Sequence, residues 1–415
     1  MSCDRPKIIS LFSGAGGLDY GFEAAGFETA VALEIDPDCC HTMRRSRAWP
    51  VIERDITHVS TGEILGRAHA RRGADDLVLL AGPPCQPFSK SGWWSNGDSR
   101  RLTDPRAETL EAYLRVLEEA LPIAFLLENV EGLAYKGKNE GLDFLLSRVD
   151  EINRQHGTRY DPVVLRVNAA DYGVPQMRTR VLLIGLRDGR RFRMPPATHG
   201  EGMGVQPYHT AWDAIGGLAP GNEDLRVRGK WAELLPSIPE GHNYLYHTDR
   251  MGGLPLFGWR RRYWSFLLKL AKSKPSWTVQ AQPGPATGPF HWDNRLLSVR
   301  ELCRLQTFPD DVEIMGSRMS AVRQLGNAVP SLLAEVIGMA MLEQVFGRNV
   351  ASRPTLAPRR LLPVPPAEEV QPVPAQYITL VGPHAPHPGT GLGYRGSKAY
   401  DPDLTPTALG LGDIT

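Results

Sequence analysis

Residues 8–36 read IISLFSGAGGLDYGFEAAGFETAVALEID, and they hold two apolar runs separated by a glycine turn and a helical stretch. The two runs, Ile8–Phe12 and Thr29–Leu33, have the length and composition of buried strands. Between them, the residues Leu18–Ala25 have helical periodicity. A strand, a helix and a second strand in this order predict a β-α-β unit with parallel strands.

The alternation of strands and helices continues through the first half of the chain. Further buried strands are predicted at Leu77–Leu80, Ala124–Leu127, Val163–Val167 and Val181–Leu186. Helices are predicted at Pro37–Arg47, Glu63–Ala70, Ala107–Ala120 and Leu142–His156. This order predicts an α/β fold built on a doubly wound, mostly parallel sheet.

The pattern breaks at about Arg187, where Gly, Pro, Trp and Tyr become frequent. From Arg187 to Arg300 there are 16 Lys and Arg residues against 9 Asp and Glu residues, although the whole chain has a net charge of only +1. We interpret residues 187–295 as an inserted, smaller and loop-rich domain. Its positive charge is typical of a phosphate-binding surface, although solvated arginine-rich surfaces are also common.

Helical patterning returns after this insertion, at Ser298–Gln306 and Ser331–Phe346. Residues 296–348 are therefore predicted to complete the domain that residues 1–186 begin. The tail, residues 349–415, holds 12 of the 35 prolines. We expect it to be mostly extended or disordered, with possible local order near Gln376–Leu380.

Several protein classes are excluded by composition. The chain has five cysteines, an odd and scattered set without a Cys-x-x-Cys or His-x-x-x-His pair, so a disulfide framework and a metal site are not expected. No run approaches the about 18 consecutive apolar residues of a membrane span, and the N-terminus lacks the apolar region of a signal peptide. We therefore expect a soluble, cytoplasmic protein with metal-free chemistry.

One cysteine stands in an unusual setting. The run Ala81–Ser89, AGPPCQPFS, follows a predicted strand and encloses Cys85 between prolines. A strand that ends in such a turn presents its last side chains at the rim of the sheet, where α/β proteins bind ligands. Since the prolines fix the backbone, we interpret Cys85 as an aimed nucleophile and not as a buried structural cysteine.

A ligand site is also predicted where the first strands end. The glycines of Phe12–Gly17 let a ligand approach the backbone, although tight packing would explain them nearly as well. Acidic residues follow successive strands at Glu34, Asp36 and Asp55, where carboxylates bind ribose hydroxyls or an adenine amino group. Asp19 replaces the third glycine of a dinucleotide fingerprint, which argues against a nicotinamide oxidoreductase.

Further polar residues follow later strands. Glu128 and Asn129 end the strand Ala124–Leu127, so Glu128 is either an acid–base group near Cys85 or a cap of the next loop. Before the last strand, Gln176, Arg178 and Arg180 alternate and are predicted to point the same way.

In this order and spacing, the motifs resemble those of the DNA (cytosine-5) methyltransferases of the single-chain bacterial type. The matching segments are Phe12–Gly17, Glu34, Asp55, Gly82–Ser89, Glu128–Val130, Gln176–Arg180, Arg300–Asp310 and Gln324–Pro330. The resemblance covers roughly residues 7–345, and the tail lies outside it. It implies the fold of the methyltransferases that use S-adenosylmethionine, with the insertion as a target-recognition domain.

The resemblance also implies roles for individual residues. The Cys85 thiolate would add to C6 of a cytosine flipped out of double-stranded DNA, which makes C5 nucleophilic. Glu128, followed by Asn129, would hold N3 and the exocyclic amine, and Arg180 the O2 side, while Arg178 would support the site or contact phosphate. Cofactor contacts carry over to Phe12 (stacked on the adenine), Gly14, Gly16, Gly17, Glu34 (on the ribose), Ile35, Asp55, Ile56, Pro84 and Asn327.

DNA contacts are expected in two places. The loop that begins at Ser89 contains Trp93 and Trp94, which either fill the gap left by the flipped base or pack against the protein. In the insertion, Arg260, Arg261 and Arg262 stand between aromatic residues, and we expect them to anchor phosphates.

The expected role is protection of host DNA in a restriction–modification system, by a monomer whose partner endonuclease is encoded nearby. Alternatives are an orphan or phage-borne methyltransferase, an RNA cytosine-5 methyltransferase, and an inactive homologue that only binds DNA. The intact Cys85, Glu128 and Arg180 argue against an inactive protein.

Overall fold

The computed structural model describes residues 5–83, 107–129, 140–219, 221–259, 263–351 and 353–384. Several residues of the predicted site lie outside these ranges, namely Pro84, Cys85, Ser89, Trp93, Trp94 and Arg260–Arg262.

A seven-stranded sheet forms the centre of the fold. Its strands are β1 (Lys7–Leu11), β2 (Glu28–Glu34), β3 (Val51–Glu53), β4 (Leu77–Ala81), β5 (Ala124–Asn129), β6 (Val163–Asn168) and β7 (Thr179–Leu186). They lie in the order β3-β2-β1-β4-β5-β7-β6. The first five strands pair in parallel, and β7 runs antiparallel to both β5 and β6. The predicted α/β, mostly parallel sheet is confirmed.

Helices cover both faces of this sheet. In the first half they are α1 (Gly17–Ala25), α2 (Pro37–Ser46), α3 (Thr61–Arg67), α4 (Ala107–Ala120) and α5 (Glu140–His156). They are followed by α6 (Ala211–Ile215), α7 (Val299–Leu305), α8 (Arg318–Asn327), α9 (Ser331–Phe346) and α10 (Ala375–Ile378). One core joins α3, α4 and α5 to the sheet, and a second joins α1 and α9 to the opposite face. Buried on both faces, β4 and β5 are apolar throughout except at the carboxyl end of β5.

The strand order reverses between β1 and β4, which continue in opposite directions across the sheet. In open α/β sheets, ligands bind at the carboxyl ends of the strands beside such a reversal. The glycine turn after β1, the residues Gly82 and Pro83 after β4 and the polar end of β5 all lie at this edge. Sequence position therefore brings the predicted site residues to one rim.

Close packing of α1 against α9 returns the C-terminal part of the chain to its first half. A Cβ atom at Gly21 would lie only 2.2 Å from the carbonyl oxygen of Ser331, and one at Gly17 only 2.4 Å from that of Val329. Only glycine permits this approach, so the return segment predicted from residue 296 docks on the glycine-rich helix.

Among the described residues, Arg318–Phe346 is long and apolar enough to pass as a membrane span. It consists of two helices, α8 and α9, separated at Ala328–Pro330, and 83% of its most apolar window is buried inside the protein. These residues form the packing surface against α1, which accounts for their hydrophobicity.

The insertion has a core of its own. The first buried residue of that core is Leu234, well after the predicted start of the insertion at residue 187. Residues 187–218 pack on the sheet domain: Arg190 and Arg193 hydrogen bond to Gln344 of α9, and α6 shares a core with Tyr20 and Phe308. The separate core comprises Leu234, Leu235, Ile238, Tyr244, Leu256, Leu267 and Phe290. These contacts attach residues 187–218 to the sheet domain, and the domain boundary at residue 187 stays a prediction.

The tail, for residues 353–384, is extended and packed against the rest of the protein. Its only helix is the short α10, which falls within the segment where local order is predicted. Tyr377 is 4% exposed and belongs to the core of the insertion. Of the two expected states, extended or disordered, the extended one describes these residues.

Candidate active site

The glycine turn after β1 has a backbone that few side chains tolerate. Phe12, Gly14 and Gly16 have positive φ values of 54°, 55° and 85°. A non-glycine residue in this region is uncommon, so Phe12 is held there by its surroundings. No atom lies within 4 Å of the Cβ position of Gly14, so the turn is open on that side. This is a cradle into which a ligand can approach the backbone.

Glu34 is fixed beside this turn by the backbone itself. One carboxylate oxygen accepts a hydrogen bond from Gly14 N at 2.8 Å, and the other accepts from Ile35 N and Asp36 N, both at 2.9 Å. The residue is 9% exposed. The oxygen that accepts only from Gly14 N keeps acceptor capacity for a ligand hydroxyl, and the three donors fix the orientation of the carboxylate. The predicted pairing of the turn with Glu34 is present.

The other predicted cofactor residues of β2 and β3 differ in accessibility. Ile35 is 61% exposed, an unusual state for a large apolar side chain at a buried edge. Ile56 is only 2% exposed and belongs to the core, so its side chain does not offer a ring contact. Asp55 accepts hydrogen bonds from Thr57 N and Oγ1, and the backbone bond is the main cause of its lowered pKa. Ile56 stays a predicted cofactor contact, and the exposed side chain of Ile35 offers apolar surface at the same rim.

Asn327 lies close to the glycine turn although it is far away in sequence. It is exposed at the end of α8, and the next residues, Ala328 and Val329, contact Gly17. An ion pair of 2.6 Å between Arg323 and Asp36 holds α8 beside the end of β2. The structure thus brings Asn327 to the same rim as Glu34.

A buried ion pair stands at the end of β5. Nε of Arg180 lies 2.6 Å from Oε1 of Glu128, and their side chains are 11% and 9% exposed. The antiparallel register aligns Glu128 with Leu182, so Glu128 and Arg180 share one face of the sheet. Burial raises the pKa of Glu128, and Arg180 and Arg178 oppose this rise. Burial of this carboxyl group thus favours its protonated form, while the two arginines favour its ionised form.

The chain leading to Cys85 passes directly beside this pair. In the parallel register Ala81 aligns with Leu127, and the Cβ position of Gly82 lies 3.7 Å from Oε2 of Glu128. Asn129 is 2% exposed, and its Nδ2 donates to the carbonyl oxygen of Pro83 at 3.4 Å. Asn129 therefore ties the end of β5 to the turn that precedes Cys85.

Arg178 is buried, and its guanidinium binds backbone carbonyl oxygens. It is 1% exposed, and its guanidinium donates to the carbonyl oxygens of Val279 at 3.2 Å and Gly326 at 2.7 Å. The contacts join β7 to the insertion and to the end of α8. Of the two predicted roles, these contacts favour support of the site over phosphate contact, because the guanidinium is buried against protein carbonyls.

Two buried amides complete this junction. Gln176 donates to the carbonyl oxygen of Leu305 at 3.2 Å and to Oε1 of Gln306 at 3.0 Å, and accepts from Val279 N at 3.0 Å. Sequence reasoning placed Gln176 on the face of the arginines but gave no role to Gln306. The sequence signal for Gln306 is an amide among apolar residues. A buried amide needs several hydrogen-bond partners, so such a residue is expected to join segments of the chain.

Asp19 is a buried acid within the first turn of α1. It is 0% exposed, and burial raises its pKa to about 7 against the lowering effect of Ser10. The sequence identified it only as the residue that breaks the dinucleotide fingerprint. Within the part of the chain that is described, no three His, Cys, Asp or Glu side chains are grouped as metal ligands.

The sequence of this chain is similar to those of known proteins. The family described as C-5 cytosine-specific DNA methylase matches residues 6–343. Type II methyltransferase M.SacI of Streptomyces achromogenes is 39% identical over 372 residues, covering 81% of this chain and 93% of that protein. Type II methyltransferase M.NgoFVII of Neisseria gonorrhoeae is 34% identical over 337 residues, covering 79% of this chain and 84% of that protein.

Solved structures show the same architecture. A putative DNA modification methyltransferase encoded within a prophage (E. coli) has a TM-score of 0.57 and 25% identity, covering 82% of this chain and 99% of that one. A Spodoptera frugiperda DNMT2 mutant has a TM-score of 0.56 and 16% identity, with coverage of 82% and 99%. The second likeness concerns the fold alone.

Proposed function

This chain belongs to the C-5 cytosine-specific DNA methylase family, and on that basis we propose that it methylates C5 of a flipped-out cytosine through a covalent bond between Cys85 and C6. Enzyme class, DNA substrate and the methyl donor S-adenosylmethionine follow from the family. The observation that carries the mechanism is the buried Glu128–Arg180 pair beside the end of β4, from which the chain continues to Cys85.

We assign the covalent step to Cys85. C5 of cytosine is a poor nucleophile, and addition of the thiolate to C6 moves electron density onto C5. The raised pKa of Glu128 suits a group that holds a proton at N3, which makes the ring accept this addition. Arg180 binds the O2 side of the ring. Loss of the C5 proton after methylation breaks the C6–S bond and restores Cys85.

The rim around Glu34 fits S-adenosylmethionine. The open turn at Gly14 admits the ligand to the backbone, and Glu34, fixed by three backbone donors, offers its carboxylate to a ribose hydroxyl. Phe12 and the exposed Ile35 offer apolar surface to the adenine. Asp55, Gly17, Pro84 and Asn327 are assigned to the same pocket. When bound, the cofactor supplies an electrophilic methyl group.

The base must leave the stack before Cys85 can reach it, which costs a few kcal/mol. We assign part of the compensation to the loop from Ser89 through Trp93 and Trp94. Flipping can be measured with DNA in which 2-aminopurine replaces the target base. Fluorescence that stays unchanged in a Trp93→Ala/Trp94→Ala double variant would show that these side chains pack elsewhere.

The covalent mechanism is tested with DNA in which 5-fluorocytosine replaces cytosine. Fluorine at C5 cannot leave as the proton does, so the adduct accumulates and survives denaturation. We expect a trapped complex with the wild type and none with Cys85→Ala. Glu128→Gln should form it about 10²–10⁴ times more slowly, since an acid–base group of this kind contributes that much.

Glu111→Gln, an exposed glutamate on α4, is the matched control and should behave as the wild type. Equal trapping by Cys85→Ala and wild type would refute the mechanism. Loss of trapping in Glu111→Gln would mean that the assay does not isolate the site.

For the biological role, we propose protection of host DNA in a restriction–modification system. The support is similarity to curated proteins named type II methyltransferases. We expect a monomer in the bacterial cytoplasm, bound to the nucleoid when it acts, with a partner endonuclease encoded nearby. The prophage-encoded neighbour favours a second candidate, a phage-borne enzyme without such a partner.

Plasmid methylation in a host without this modification, followed by base-resolution conversion sequencing, would give substrate and recognition sequence together. Protection of the plasmid from a nuclease encoded beside the gene would decide between the two roles. RNA methylation with unmodified DNA would overturn both.

A further inference from the structure

The C-terminal strap, residues 353–384, crosses from the sheet domain to the insertion. It lies beyond the family match, which ends at residue 343. It begins on the 1% exposed Glu335 of α9, whose carboxylate accepts from Thr355 N at 2.6 Å, Thr355 Oγ1 at 2.8 Å and Leu356 N at 2.9 Å. The start of the strap is thus fixed to the sheet domain.

The strap next binds α6 through Asp213. Leu361 N donates to Oδ1 of Asp213 at 2.8 Å, and Arg360 lies 3.3 Å from Oδ2 and donates to the carbonyl oxygen of Pro207 at 2.7 Å. Since α6 belongs to the core around Tyr20 and Phe308, this contact is also on the sheet domain.

A buried charge cluster then joins the strap to the insertion. Nζ of Lys272, whose side chain is 4% exposed, lies 2.7 Å from both Glu240 and Glu368. Glu368 N also donates to Glu240 at 2.9 Å. Glu240 is buried with Lys272, whereas the side chain of Glu368 is 53% exposed, so loss of Glu368 removes the ion pair to the strap and leaves Lys272 paired with Glu240.

The strap ends inside the core of the insertion. Tyr377 stacks on Trp231 with ring centroids 5.7 Å apart and planes inclined by 20°, and its hydroxyl donates to the carbonyl oxygen of Lys230 at 2.7 Å. Val373 and Leu380 pack on the same core. An insertion without the strap would therefore expose an aromatic surface and lose a core residue.

The anchored part of the insertion leads directly to the candidate active site. Four residues after Lys272, Ser276 begins the segment 276–279, which hydrogen bonds to Pro175, Gln176 and Met177. Val279 accepts the hydrogen bond from Arg178. A continuous set of contacts thus runs from Glu368 through Lys272 to the strand that presents Arg180.

We propose that the strap positions the insertion on the sheet domain, and that Glu368 and Tyr377 are positioning residues for DNA binding. The proposal rests on the proposed function, DNA methylation, and on the expectation from the sequence that the positively charged insertion contacts DNA. Within the described residues, Glu34 is held by Gly14, Ile35 and Asp36 and not by the strap, so loss of the strap should weaken DNA binding and spare the cofactor pocket.

The test compares four variants of the full chain: Tyr377→Ala, Tyr377→Phe, Glu368→Gln and, as control, Leu362→Ala, which alters a strap side chain that is 75% exposed. We expect Tyr377→Ala to raise KM and Kd for DNA about tenfold, equivalent to about 1.4 kcal/mol. Tyr377→Phe, which keeps the stacking, should change them less than about threefold. The affinity for S-adenosylmethionine and kcat should stay near wild type in all four.

Hydrogen exchange gives a second measurement that needs no catalysis. Amide exchange in residues 225–296 should rise in Tyr377→Ala while exchange in β1 and β2 stays unchanged. Unaltered exchange and DNA affinity in Tyr377→Ala would overturn the proposal. An equal loss of cofactor affinity would also overturn it, since this indicates general destabilisation. A wild type that binds DNA without methylating it would refute the proposed function and leave this test intact.

Discussion

At the scale of single residues, the site is built from side chains whose charge is held in buried surroundings. Three backbone donors stabilise Glu34, and Arg180 stabilises Glu128. Among the residues that the structure describes, Asp19 has neither a set of three backbone donors nor an arginine partner. Glu34 and Glu128 lie at the rim to which we assign the ligands, and we relate their burial to ligand binding. Asp19 lies in the first turn of α1. Its burial lowers the free energy of unfolding by an amount that depends on pH.

Asp19→Asn should make the protein relatively more stable as pH rises. The pKa of Asp19 is raised from 3.8 to about 7, so the acid is neutral and costs nothing below about pH 4. Its ionisation destabilises the fold progressively between pH 4 and 7. We expect the stability of the variant relative to wild type to grow by about 2–4 kcal/mol over this range.

Denaturant unfolding at pH 4.5, 6 and 8 measures this difference. Asp76→Asn, which changes an exposed carboxylate, is the control and should give a nearly constant difference from wild type. A flat difference for Asp19→Asn across the same range would show that Asp19 stays ionised with an adequate partner.

At the scale of elements, the approach of α1 to α9 decides whether the return segment can complete the rim. The Cβ position of Gly21 lies 2.2 Å from the Ser331 carbonyl oxygen and 2.4 Å from the Ala334 Cβ atom. Gly66, inside α3, has nothing within 4 Å of its Cβ position. The two glycines therefore make a matched pair.

Gly21→Ala should destabilise the protein by about 1–3 kcal/mol, because the helices must move apart. Asn327 is the last residue of α8 and directly precedes the residues that pack on α1, so the affinity for the cofactor should fall as well. Gly66→Ala should instead stabilise by about 0.5–1 kcal/mol through helix propensity. Thermal unfolding and cofactor titration of both variants test this, and similar behaviour of the two would contradict the packing argument.

Much of the rim could be predicted from sequence because it depends on local order. Glu34, Glu128 and the glycine turn each follow an apolar strand, and parallel strands bring their ends together. The burial of the Ile56 side chain could not be predicted, because sequence does not show which side of a turn faces the core. The role of Arg178 could not be foreseen either, since its partners, Val279 and Gly326, are about 100 or more residues away.

At the scale of the whole molecule, positive charge is concentrated in the insertion while the chain is nearly neutral. Phosphate neutralisation releases counterions, so DNA affinity should decrease steeply with salt. We expect Arg260→Ala/Arg261→Ala/Arg262→Ala to reduce the slope of log K against log salt by up to about 3, at about 0.9 for each phosphate contact.

Binding titrations at several salt concentrations provide this slope. Arg71→Ala, which removes an exposed arginine outside the insertion, is the control and should leave the slope unchanged. An unchanged slope in the triple variant would mean that other cations anchor the DNA.

The contact of Tyr377 with Trp231 has a consequence for the exchange of recognition domains between related enzymes. The core of the insertion is completed by a residue that is encoded about 80 codons after the insertion ends. A chimera that receives only residues 225–296 would combine a foreign core with the resident Tyr377. With the insertion as the expected recognition domain, sequence specificity would be inherited as two separate pieces of the gene, and we expect recombination that moves one without the other to yield a poorly folded hybrid.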